Sequence, residues 1–219
     1  MNKKDYTTLW KTKPWEIAEY FYQSIDKADL INLPSVDIDY QQFINFSLEN
    51  FDYADQDFER EKSYYSKKCN LLAKTNVILG YSEHNTFVLN YGKQGNTNSA
   101  LKMLFGDLNM DLLNLDPESV LMRLIVKFPG NGFAYHIDDA SSYKEKFDIP
   151  DTSKIKRIWI PISPWEDGHM FQISKSVITH WKSGDVYEIP WGVPHLGVNF
   201  GVKPQFTLNI TGVYNDQLC

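Results

Sequence analysis

Two periodicities divide this chain. In "KPWEIAEYFYQSIDKADL" the apolar residues Trp15, Ala18, Tyr22 and Ile25 recur at helical spacing, with Pro14 at the start. In "DYADQDFEREKSYYSKKCNLLA", Phe58, Tyr65, Cys69 and Leu72 fall on one helical face, and the acidic front and basic back suit the helix dipole. The pattern predicts that residues 1–70 are mainly helical. From Thr75 the period shortens. "NVILGYS" and "TFVLNYG" are β-like runs, "NSALKMLFGDLNMDLLNL" reads as helix, and "SVLMRLIVKF" is a strong strand ended by Pro129-Gly130.

Short strands with turns between them follow: "FAYHID", "KIKRIWIPIS", "HMFQIS", "VITHW", "DVYEIP", "HLGVNF" and "QFTLNITGVY". Strands at this spacing predict a sandwich, jelly roll or barrel. The last one alternates cleanly. Gln205, Thr207, Asn209 and Thr211 share one face, and Phe206, Leu208 and Ile210 share the other. The polar face lies against solvent or lines a polar pocket. Arg123 and Lys127 share a face of their strand; they are exposed or meet a ligand, and exposure is the expectation.

Composition fits one domain over residues 1–219, with a β core at residues 75–214 carrying inserted helices. The 219 residues are 42% hydrophobic, enough for a sizeable core, and the 15% aromatic content predicts ring-rich packing. A net charge of −6 argues against a nucleic-acid partner. Two cysteines, Cys69 and Cys219, make neither a disulfide framework nor a cysteine-rich zinc site, so a reducing, cytoplasmic setting is expected. "MNKKDYTTLW" does not read as a signal peptide, and no apolar run is long enough to span a membrane, so no membrane partner is expected.

The candidate chemistry begins at His136-Ile137-Asp138. Residues i and i+2 of a strand point to one side, so the imidazole and the carboxylate can converge. His195, in "WGVPHLGVNF", can supply a third ligand. Two histidines and one carboxylate leave open positions on a metal, the arrangement of non-haem Fe(II) oxygenases. A solvated turn at Asp138-Asp139 with a hydrogen-bonded His195 is the other reading of the same residues.

At these residues a resemblance appears. Residues 120–212 resemble the 2-oxoglutarate/Fe(II)-dependent dioxygenase superfamily, most closely a small phage and marine-bacterial branch. The motifs that carry it are Pro129-Gly130, His136-x-Asp138, "SPWEDGHMF", "WKSGD", "PHLGVNFG" and "KPQFTLNITG", in that order. The resemblance implies a mainly β, double-stranded β-helix (jelly roll, cupin-like) core. It implies Fe(II) held by His136, Asp138 and His195, and 2-oxoglutarate and O2 as co-reactants. The implied reaction is hydroxylation of a small molecule or an amino-acid or peptide side chain, with 2-oxoglutarate losing CO2 to become succinate.

One position departs from that family. Its arginine on the last core strand, which pairs with the far carboxylate of 2-oxoglutarate, is here Gln205, with Thr207 supplying the accompanying hydroxyl. A neutral amide donates to a carboxylate but does not neutralise it, and a buried carboxylate without a cation costs about 3–5 kcal/mol. Lys203, about 6.6 Å along the same strand face, and Arg157 on a neighbouring strand are the candidate replacement cations. The alternatives are a non-catalytic β-helix module and a metalloenzyme that works without 2-oxoglutarate. His169 and Trp191 are candidates for the substrate pocket, with surface and core roles as their alternatives. Asn199 and Gly201 are expected to shape a turn. The helical first third covers the barrel or mediates a homodimer.

Overall fold

The structure is a computed structural model describing residues 31–49, 86–92, 113–136, 138, 143–144, 147–149, 154–174 and 176–214. The two amphipathic helices read above, "NVILGYS", and most of "NSALKMLFGDLNMDLLNL" lie outside these residues. In the described part of the first third, α1 (Tyr40–Glu49) is helical, capped by Asp39, whose carboxylate accepts from the Gln41 amide at 3.1 Å. β1 (Ile31–Leu33) departs from the helical expectation: it is a strand because its backbone pairs with β8 (Val186–Glu188), which no local pattern records.

The remaining strands are β2 (Thr86–Gly92), β3 (Leu121–Lys127), β4 (Asn131–His136), β5 (Ile155–Pro161), β6 (His169–Ile173), β7 (Ser176–Ile178), β9 (His195–Asn199) and β10 (Gln205–Val213). They form two antiparallel sheets. One runs β1-β8-β5-β10-β3-β2 and the other β4-β9-β6-β7. From β3 onward the chain winds between the two sheets, apart from the β6–β7 hairpin within the smaller one, and this order makes the core a double-stranded β-helix.

The larger sheet has one apolar face. Met122, Leu124 and Val126 of β3, Ile158 and Ile160 of β5, and Phe206, Leu208 and Ile210 of β10 form one buried cluster. Phe43 of α1 and Leu115 complete it, so the helix covers this side of the sheet. Period-two alternation then sends the odd-numbered positions to the opposite face. There stand Arg157 and Trp159, with Lys127, Gln205 and Thr207, all buried. The polar face of β10 therefore lines an interior. Lys127, expected at the surface, is only 3% exposed. A sheet buried on both faces leaves no solvated side for it.

The motif glycines and asparagine tie the strands together. Gly184 of "WKSGD" has φ +83 and lies so close to the segment between β1 and α1 that a Cβ would fall 2.0 Å from the Val36 carbonyl oxygen. Asn199 is fully buried, and its amide donates to the carbonyls of Lys127 and Lys203, each at 2.8 Å. Its own oxygen accepts from Gly201 N at 2.9 Å. It shapes the β9–β10 turn and fixes that turn to the end of β3. Asn199→Ala removes all three bonds, and the expected loss of unfolding free energy, read by urea denaturation, is about 2–4 kcal/mol.

Candidate metal centre

His195 opens β9, directly opposite His136 at the end of β4, and the β4–β9 register shifts between Phe133 and His136. Such irregularities re-aim a strand end and occur beside active sites. Asp138 follows just beyond β4, half-exposed at 40% of its side chain. Its Oδ2 stands 3.5 Å from His195 Nε2.

The state of His195 follows from its other nitrogen. Nδ1 is 3.0 Å from the Val193 carbonyl oxygen, which only accepts, so Nδ1 carries the proton. Nε2 then keeps its lone pair, which accepts from Arg157 Nη2, with Asp138 Oδ2 alongside. A histidine that ligates a metal is oriented by the same kind of bond on its far nitrogen. Arg157 completes the cluster. Its guanidinium pairs with the Asp138 carboxylate and donates from Nη2 to His195 Nε2 at 3.2 Å. Burial lowers its pKa, and Asp138 opposes that shift. The Trp191 ring lies 5.0 Å from the guanidinium carbon, and its indole N–H donates to the Ile155 carbonyl.

These groups fit a divalent metal. A carboxylate oxygen and an unprotonated imidazole nitrogen converge, and the cation now between them is a side chain. Among the described residues no three His, Cys, Asp or Glu side chains gather at one point. The described donors are Asp138 and His195; for His136 the structure describes the backbone, placed opposite His195.

The sequence-derived cofactor residues fall in two places. Arg157 belongs to the cluster just described and pairs in register with Thr211, whereas Gln205 pairs with Lys127. Six residues of β10 separate the two positions, about 20 Å of strand. Arg157 is therefore not the neighbour of Gln205. Lys203 is not either: it precedes β10, is 63% exposed, and bonds Glu166 Oε1 at 2.7 Å. Gln205 and Thr207 are buried together, and the Thr207 hydroxyl accepts from Lys127 Nζ at 3.5 Å.

Trp191 joins the cluster, but His169 stands apart. His169 pairs with Asn199, four positions along β6 from Ile173, the partner of His195. It is buried, and its Nε2–H donates to the Lys203 carbonyl at 3.0 Å. Burial lowers its pKa.

Sequence reasoning favoured the surface for Lys127, but the odd-numbered face of β3 turns inward and buries it. Desolvation pushes its ammonium down to about 7.

No family model matches the chain, and no curated protein does. Solved structures align with it at low identity. A cupin 2 conserved barrel domain protein from Salinispora arenicola is 13% identical, with 61% of this chain and 78% of that one covered and a TM-score of 0.34. An uncharacterized conserved protein with a double-stranded β-helix domain from Klebsiella pneumoniae is 19% identical, covering 47% and 70%, at 0.31. A predicted oxalate decarboxylase from Thermotoga maritima is 12% identical, covering 58% and 80%, at 0.35. The fold described here rests on the strand order itself. Among the described residues no helix is long and apolar enough to cross a membrane.

The Lys127 ammonium has a consequence for stability. Below about pH 7 both folded and unfolded chains carry the proton, and the full desolvation cost is present. Between about 7 and the model-compound 10.5 the folded chain releases its proton first, so stability rises with pH. Lys127→Met should therefore melt higher than wild type below about pH 7, with the gap closing toward about pH 10, as read by calorimetric Tm across that range.

Proposed function

We propose that this chain is a non-haem Fe(II)- and 2-oxoglutarate-dependent oxygenase that hydroxylates a small molecule or an amino-acid or peptide side chain. The observation that carries the proposal is the convergence of Asp138 Oδ2 and His195 Nε2 at 3.5 Å, with the His195 proton held on Nδ1. His136, opposite His195, is the third ligand of this reading. The motif order of residues 120–212 and the double-stranded β-helix support it.

Iron bound by two imidazoles and a carboxylate supplies O2 activation at its open positions. The chain's own residues do the rest. The Val193 carbonyl orients the His195 ring. Arg157 holds Asp138 in place and is the cation whose position beside that carboxylate a bound metal would take. Phe171, whose ring centroid is 6.2 Å from that of His195, and Trp191 wall the site with apolar surface.

A second reading has one observation in its favour. Arg157 already neutralises Asp138 and bonds His195 Nε2, so the cluster is also complete as a structural ion pair. A non-catalytic module, or a metal-binding protein independent of 2-oxoglutarate, follows from that.

Manganese titration and succinate release separate the readings. Wild type should bind one manganese ion per chain and release succinate from 2-oxoglutarate with iron. His195→Ala, His136→Ala and Asp138→Ala should each lose metal affinity by more than the about 10–100-fold cost of deleting an outer-shell partner. Wild type that binds no metal, with Arg157→Met gaining it, would establish the structural ion pair instead. Metal binding without succinate release would favour the 2-oxoglutarate-independent protein.

A further inference from the structure

We propose that Lys127 is the cation that receives the far carboxylate of 2-oxoglutarate, acting from β3 in place of the charge that Gln205 lacks on β10. This rests on the oxygenase reading above.

The argument starts from register. Lys127 and Gln205 are direct partners across the antiparallel β3–β10 pair, so their side chains leave the same face about 4.5–5.5 Å apart. A lysine at 127 therefore serves the same spot as a side chain at 205. The Lys127 stem spans the space between the sheets: Nζ lies 3.4 Å from where a Cβ on Gly197 would stand. Gly197 is two residues beyond His195 on β9, hence on the same side of that strand and about 6.6–6.8 Å along it. That separation is comparable with the length of a five-carbon dicarboxylate. A molecule chelating a metal at His195 and running along β9 brings its far end to the ammonium.

The surroundings of Lys127 Nζ also suit a carboxylate. The Thr207 hydroxyl stands 3.5 Å away. Gln205 is 1% exposed, and its Oε1 has no hydrogen-bond partner among the described residues. Turning that amide over offers an N–H donor to an incoming anion at no cost in existing bonds to the oxygen. Ammonium and amide thus form one pair of donors, beside the Thr207 hydroxyl, on a buried sheet face.

The test is calorimetry on manganese-loaded protein with two ligands: 2-oxoglutarate, and 2-oxobutanoate, which keeps the chelating end and lacks the far carboxylate. Lys127→Met should weaken 2-oxoglutarate about a hundredfold to a thousandfold and leave 2-oxobutanoate within about twofold. Manganese affinity should not change. Adding Gln205→Arg to Lys127→Met should restore most of the loss by moving the charge across the register. Lys127→Gln repeats the measurement, and a cooperative thermal transition confirms that each variant is folded. If folded Lys127→Met and Lys127→Gln bind 2-oxoglutarate as wild type does, Lys127 is not the anchor and the oxygenase reading stands without it. If manganese-loaded wild type binds neither ligand, the oxygenase reading and this inference fall together.

Discussion

The pairing of β10 with β3 on one side and β5 on the other is the constraint on which the rest depends. It sets which side chains look outward and which look into the space between the sheets. Phe206, Leu208 and Ile210 must meet the apolar cover provided by α1 and its neighbours. Once they do, Gln205 and Thr207 have nowhere to go but inward. A slip of one residue would exchange the two sets and expose the apolar one, so the register is fixed by burial rather than by any single hydrogen bond. Asn199 then locks the loop that leads into this strand.

The polar interior is held at a cost that hydrophobic burial elsewhere must cover. Arg157 is offset by Asp138, and its guanidinium lies against the Trp191 ring. Desolvation dominates the titration of Lys127. Replacing such groups by apolar side chains is often neutral or stabilising. The aromatic cluster of Trp159, Phe171 and Trp181 supplies the rigidity beside them, with Trp159 and Phe171 stacked at 4.3 Å and Trp159 edge-on to Trp181 at 5.2 Å.

Much of the core was readable because strands announce themselves locally. The alternation in "QFTLNITGVY", the Pro129-Gly130 stop and the Gly184 turn each have a cause within a few residues, and each stands where the pattern puts it. β1 was not readable, because three residues of "INL" become a strand only through β8. The His-x-Asp spacing suggested that Asp138 converges with His136; the approach of Asp138 to His195 follows from the β4–β9 pairing. The insertion of Arg157 between them was not readable, because it comes from a different strand and depends on a long, flexible side chain.

The sequence by itself determined the strand-rich core, the two-faced last strand, and the absence of an arginine where Gln205 stands. It could not assign a partner to Gln205. Lys203 and Arg157 were candidates by sequence offset and motif position, yet one lies at the surface on Glu166 and the other belongs to Asp138. The tertiary structure put Lys127 there instead, some eighty residues away in the chain and directly opposite in the sheet. Alternation along a strand is a local steric property and is written in the sequence. Which strand lies beside it, and in what register, is decided by the burial of both sheet faces at once.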